Sequence, residues 1–145
     1  MRSILVVAHR TAATPKLINW VRDRSSQQLC VFTLLVPLPY WNPDTDEAEI
    51  TLELALPLLE EAAMSHVRGF IGDCDPFEAV RAAVKDGNYD EIVISTLPER
   101  VSHWLRRDLP ARVERFGLPV TVLTATQAER ALPRAPALQT NERRP

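Results

Sequence analysis

Two neighbouring hydroxyls, Ser95 and Thr96, stand at the end of a β-branched apolar run, and a basic segment follows them. That segment carries Arg100, His103, Arg106 and Arg107, with Trp104 among them. Hydroxyls can hydrogen-bond a phosphate or a ribose, and guanidinium groups grip anions by charge and by a fixed fork of donors. His9 and Arg10, just after the first apolar run, offer similar chemistry. Gly72 and Asp73 form a turn that carries a carboxylate. Each group also has a plainer use. Ser95 and Thr96 can cap their own turn. The arginines can line a solvated loop with Trp104 folded inward. His9 and Arg10 can be ordinary surface, and Asp73 can serve the turn before the next helix.

The chemistry that is missing narrows the choice. Loops that cradle phosphate use glycine, because a side chain blocks close approach of the backbone amides. None of the four glycines lies between Gly87 and Gly117. A net charge of −2 gives no electrostatic case for nucleic acid or a membrane surface. There is no glycine-x-serine-x-glycine elbow, no paired histidine on a helix and no cysteine beside a plausible base. His9, His66 and His103 show no metal-ligand spacing. Cys30 and Cys74 read as two free thiols in a reducing compartment. The apolar run Ile4–Ala8 is too short for a signal-peptide core or a membrane span, so a cytoplasmic protein is expected.

With 145 residues, 46% hydrophobic and 25% charged, the chain has the composition of one soluble domain. Ile4–Ala8 is a continuous apolar run suited to a strand buried on both faces. Thr14-Pro15 can start a helix, with Leu17, Ile18, Trp20 and Val21 at helical spacing up to about Ser25. A second strand falls within Gln28–Leu38, and a proline-rich loop spans Pro37–Asp46. Thr45 or Asp46 can cap a helix whose apolar stripe includes Ile50, Leu54, Leu58 and Leu59, and Pro57 should kink or split it. Val67–Ile71 reads as a third strand, ended by Gly72-Asp73. Asp75-Pro76-Phe77-Glu78 then opens a helix as N-cap, first position and capping glutamate, with Val80, Ala83 and Val84 as its apolar face. Gly87 is expected to close it in a left-handed cap. Glu91–Ser95 is the fourth strand, Pro110–Phe116 a short helix closed by Gly117, and Pro119–Thr124 the fifth strand. Strands alternating with helices predict an α/β fold with a parallel, doubly wound sheet. The domain is expected over residues 1–125. Residues 126–145, polar with three prolines and four arginines, read as a disordered tail.

Three strings, in order, resemble the universal stress protein family: ILVVAH at the start, GDCDPFEAVRAAVKDGNYDEIVIS in the middle and DLPARVERFGLPVTVLTA near the end. The second matches the family's turn–helix–strand segment, with an aspartate before the fourth strand. The third matches its last helix and a "PVxVV"-like strand. The likeness runs from Arg2 to Ala125. It implies a single open five-stranded parallel sheet between helices, in the order 3-2-1-4-5, and a dimer formed through the last strand. The crevice candidates are then His9, Arg10, Ser95, Thr96 and Arg100, by their places after the first strand and at and after the end of the fourth, together with Gly72 and Asp73, which occupy the turn where the resemblance implies an adenine pocket. Many members bind ATP through a glycine-x2-glycine-x9-glycine-serine/threonine loop after the fourth strand. Here Ser95, Thr96, Leu97 and Pro98 replace its first glycines, and Arg107 and Asp108 stand near its final pair. Members that bind ATP also usually carry an aspartate after the first strand, where this chain has His9-Arg10-Thr11.

The leading expectation is therefore a non-enzymatic stress-response or regulatory module, homodimeric, acting on a protein partner, with a degenerate nucleotide site. ATP or AMP as a cofactor is disfavoured. One alternative is a nucleotide-binding protein, with slow ATPase activity conceivable, that uses hydroxyls and arginines in place of the glycine loop. The other is an electron-transfer or enzymatic member of the wider nucleotide-binding α/β group. Pro119–Thr124, apolar and β-branched, would lie at a sheet edge and offer Val120 and Val122 to a second copy.

Overall fold

The computed structural model describes residues 1–39, 46–97 and 103–125. The strands are β1 (Arg2–Val7), β2 (Cys30–Pro37), β3 (Arg68–Gly72), β4 (Glu91–Thr96) and β5 (Val120–Thr124). The helices are α1 (Pro15–Gln27), α2 (Glu47–Ala63), α3 (Pro76–Asp86), α4 (His103–Arg106) and α5 (Leu109–Glu114). All pairings are parallel and the sheet order is β3-β2-β1-β4-β5. The expected strand order is thus observed, and β3 and β5 are its two ends.

Alternation along the central strands divides the core. Ile4, Val6, Phe32, Leu34 and Val36 pack under α1 and α2, whereas Leu5, Val7, Leu35, Ile92 and Ile94 pack under α3 and α5. The aspartate before the fourth strand has a clear task. Asp90 Oδ2 accepts the Ser3 N–H at 2.8 Å and so pins β4 to β1 at their amino ends.

The helix starts follow their local chemistry. Pro15 and Pro76 occupy first-turn positions, and Asp75 accepts the Phe77 N–H at 3.0 Å. Glu78 does not complete a capping box. It pairs with Arg81 instead, while the Asp75 N–H donates to Asp73 at 2.8 Å. Gly87 corrects another expectation. It is extended, with φ −119°, and makes no left-handed cap. A Cβ there would lie 2.6 Å from the Tyr89 ring, so packing explains the glycine. Gly117, by contrast, has φ +85° and open space around it, as a left-handed turn after α5 requires.

The largest correction concerns α2. It runs through Pro57 in one piece, and its buried face is Ala48, Thr51, Ala55, Leu59, Ala62 and Ala63. Of the expected stripe only Leu59 is buried; Ile50, Leu54 and Leu58 face solvent. Close packing decides this. α2 lies against α1 and the sheet, where alanine permits short approaches. A Cβ on Gly69 would come within 2.7 Å of Leu52 Cδ1. The short helix α4 was not anticipated. Its Trp104 packs on the core beneath α3 and α5.

Candidate functional site

The crevice beyond the carboxyl ends of β1 and β4 is where an open α/β sheet usually holds its ligand. Val7 pairs with Ile94 in the last register position of the two strands, so Ala8–Thr11 leave β1 beside Ser95 and Thr96, the last two residues of β4, which pair onward with Leu123 and Thr124 of β5. The loop after β1 is a tight turn. Ala12 N–H donates to the His9 carbonyl at 3.2 Å and Thr14 N–H to the Thr11 carbonyl at 3.2 Å. Thr14 Oγ1 donates to that same carbonyl at 3.0 Å. This turn aims Thr11 at β4, where Thr11 Oγ1 and Ser95 Oγ share a hydrogen bond of 2.7 Å. Both residues are 2% exposed. Thr96 is buried too, and its carbonyl accepts the Ala125 N–H at 2.9 Å, tying β4 to the end of β5.

The Ser95 hydroxyl expected to meet a ligand therefore meets protein. Ser95 is bonded to Thr11, a residue that sequence reasoning read only as part of the His9-Arg10-Thr11 string. His9 is 8% exposed, and its Nε2 lies 3.9 Å from Glu47 Oε2 in the first turn of α2. A carboxylate there repels a phosphate that His9 would otherwise attract. Arg10 follows it, half-buried. Arg100 lies outside the described residues, as do the side chains of His103 and Arg106. Arg107 is exposed.

Gly72 and Asp73 are not brought to this crevice. Gly72 ends β3, and β2 separates that strand from β1. A Cβ on Gly72 would lie 2.8 Å from both Ala79 Cβ and Leu35 Cδ1, so the glycine lets α3 sit close to the sheet. Asp73 holds the turn into α3 through its bond to Asp75. Both residues border an open groove of about 430 Å³ between β3 and α3, lined also by Arg68, Phe70, Arg81 and Tyr89.

A second polar cluster, unforeseen in the sequence, lies at the opposite end of β4. Glu91 is 4% exposed, and its Oε1 accepts from Arg24 Nη1 at 2.7 Å and from Arg2 Nε at 3.0 Å. Arg24 also lies over the Trp20 ring at 4.7 Å. Burial pushes the Glu91 carboxyl up, but the hydrogen bonds and charges of Arg24 and Arg2 together outweigh it, and the net shift is downward. The hydrogen bond to Glu91 correspondingly raises Arg24. Burial pushes the nearby Cys30 thiol up, against the pull of Arg24, which makes it a poor nucleophile. Cys30 and Cys74 are both free and half-buried.

Among the described residues, no group of three or more His, Cys, Asp or Glu is arranged to hold a metal ion. Nor is any helix there long and apolar enough to cross a membrane. At the sheet edge, Val122 is 38% exposed on β5, and Val120 is half-buried against the α3–α5 core.

No family model matches the sequence, and no curated protein is significantly similar to it. Among solved structures, the fold is similar to that of a universal stress protein from Archaeoglobus fulgidus. The TM-score is 0.59 at 16% identity, over 84% of this chain and 93% of that one. At that identity the likeness speaks for the fold.

Proposed function

We propose that this protein is a non-enzymatic stress-response or regulatory module of the universal stress protein kind, acting as a dimer through β5, with a crevice that does not take ATP. The observation that carries the reading is the buried Thr11–Ser95 hydrogen bond. It engages one hydroxyl donor and buries both side chains against each other, at the place where the fold offers a ligand its entry. The Glu47 carboxylate beside His9 and the absence of glycine between Gly87 and Gly117 act in the same direction.

Calorimetric titration with ATP and AMP tests this. ATP should bind no tighter than about 100 μM, roughly −5.5 kcal/mol. Low-micromolar affinity would overturn the reading in favour of a nucleotide-binding protein. The dimer has its own test. β5 is an edge strand with exposed Val122, and a two-fold pairing would bring the two copies of that residue close together. Val122→Lys should convert dimers to monomers in light scattering. A wild-type chain already monomeric at tens of micromolar, or a Val122→Lys dimer, removes β5 from the proposal.

A further inference from the structure

We infer that the outer face of α2 is a docking surface for a basic, leucine-bearing amphipathic helix of another protein. Ile50, Leu54 and Leu58 are 38%, 54% and 42% exposed. Single exposed leucines are common on soluble proteins. These three recur every fourth residue and so form one continuous stripe along the helix, with exposed Pro57 beside it. An apolar stripe at this spacing is the seam by which one helix receives another. The fold does not need it, because α2 already seats its alanine face on α1 and the sheet.

The charge around the stripe selects the occupant. α2 holds five glutamates and no lysine or arginine, in a chain whose net charge is only −2. Glu49 and Glu53 flank the stripe and Glu61 stands at its carboxyl end, all three exposed. Among the described residues no cation pairs with any of them. Glu60 has a local use, accepting from the Val67 N–H at 3.1 Å and pairing with His66 at 2.8 Å. Among the described residues Glu61 has no such use, and it sits at the negative end of the helix dipole, where a carboxylate is destabilising. A second copy of α2 would set glutamates against glutamates, which disfavours self-association through this face. A helix with leucines on one side and lysines or arginines beside them would bury the stripe and neutralise the flank. This surface gives the proposed module a place for its partner. The titration below depends neither on nucleotide affinity nor on β5, so the two readings can fail separately.

The probe is a synthetic helical peptide of leucine and lysine in amphipathic order, followed by fluorescence anisotropy against the full chain. Two control peptides replace every lysine by glutamate or every leucine by serine. The leucine–lysine peptide should bind and the controls should not. Leu54→Ser should weaken binding about ten-fold by removing one buried leucine contact. Glu49→Gln combined with Glu53→Gln should weaken it further and flatten its salt dependence. Both sets of positions are exposed, and unchanged circular dichroism should show that the variants stay folded. Equal binding to wild type and Leu54→Ser would overturn the inference, as would equal binding of the serine control. Two other results would overturn it by naming a different occupant. One is a wild-type oligomer that Leu54→Ser dissolves, which makes the face a self-interface. The other is tighter peptide binding by a chain ended after Ala125, which makes residues 126–145 the native cover.

Discussion

At its amino end β4 buries a carboxylate, Glu91, between two arginines. At its carboxyl end the same strand buries a hydroxyl, Ser95, against Thr11. Both clusters join distant parts of the chain, and Glu91, Thr11 and Ser95 are buried, while Arg2 and Arg24 keep part of their side chains in water. The clusters differ in what each must compensate. A buried carboxylate needs charge partners and hydrogen bonds, and Arg2 and Arg24 supply both. A hydroxyl needs only one good hydrogen bond, and Thr11 supplies it. The charged cluster thus lies at the end where open α/β sheets do not bind ligands. The neutral cluster lies at the end where they do. A buried ionic network is therefore a poor guide to function in this molecule. The more informative feature is a crevice whose polar groups have been turned toward one another.

Removing Arg24 should break this comparison most forcefully. Arg24→Ala leaves Glu91 buried with Arg2 alone and strips the cation from the Trp20 ring. A loss of about 3 kcal/mol is expected at pH 7, read from the urea midpoint. A midpoint that does not move would mean that Glu91 is solvated in the folded protein and that the two ends of β4 do not differ as described. Acid sharpens the test. The folded-state value of Glu91 is lowered from its ordinary 4.5, so its contribution is complete above about pH 5 and is lost as pH falls through the lowered value. The deficit of Arg24→Ala should therefore shrink between pH 5 and pH 3. A deficit that stays constant over that range would assign the loss to the Trp20 contact.

Much of this architecture was legible because it depends on runs of adjacent residues. Ile4–Ala8, Ile92–Ile94 and Val120–Leu123 read as strands because β-branched apolar residues suit a sheet covered on both faces. Asp75-Pro76 read as a helix start because a side-chain oxygen reaches the free amides locally. The errors have a common cause, which is contact between residues far apart in sequence. The stripe of Ile50, Leu54 and Leu58 looked like core by hydropathy, but the space under α2 admits alanine, and the larger side chains go outward. Ser95 could be placed at the crevice, but Thr11, 84 residues away, could not be named as its partner. Glu91 is legible only as the first residue of the fourth strand, and Arg24, 67 residues away, could not be named as its partner. Gly87 carried a familiar helix-end signal, yet the Tyr89 ring is the reason for it.

A smaller effect is expected at the other end of β4, and it bears directly on function. Ser95→Ala removes one hydroxyl and leaves Thr11 Oγ1 buried without its partner, a cost of about 1–2 kcal/mol. Thr11→Val should cost a similar amount, since it strands Ser95 in the same way. The double variant should lose clearly less than the sum of the two, because neither unpaired hydroxyl then remains. Unlike the deficit of Arg24→Ala, these losses should not change between pH 5 and pH 3, for no titrating group takes part. Additive losses in the cycle would mean that the two hydroxyls do not depend on each other for their hydrogen bonds. Ser95 would then be free to turn toward the crevice, and a ligand role for it would return. Coupling of about 1 kcal/mol would instead fix the pair as a closure between β1 and β4, present whether or not any ligand is near.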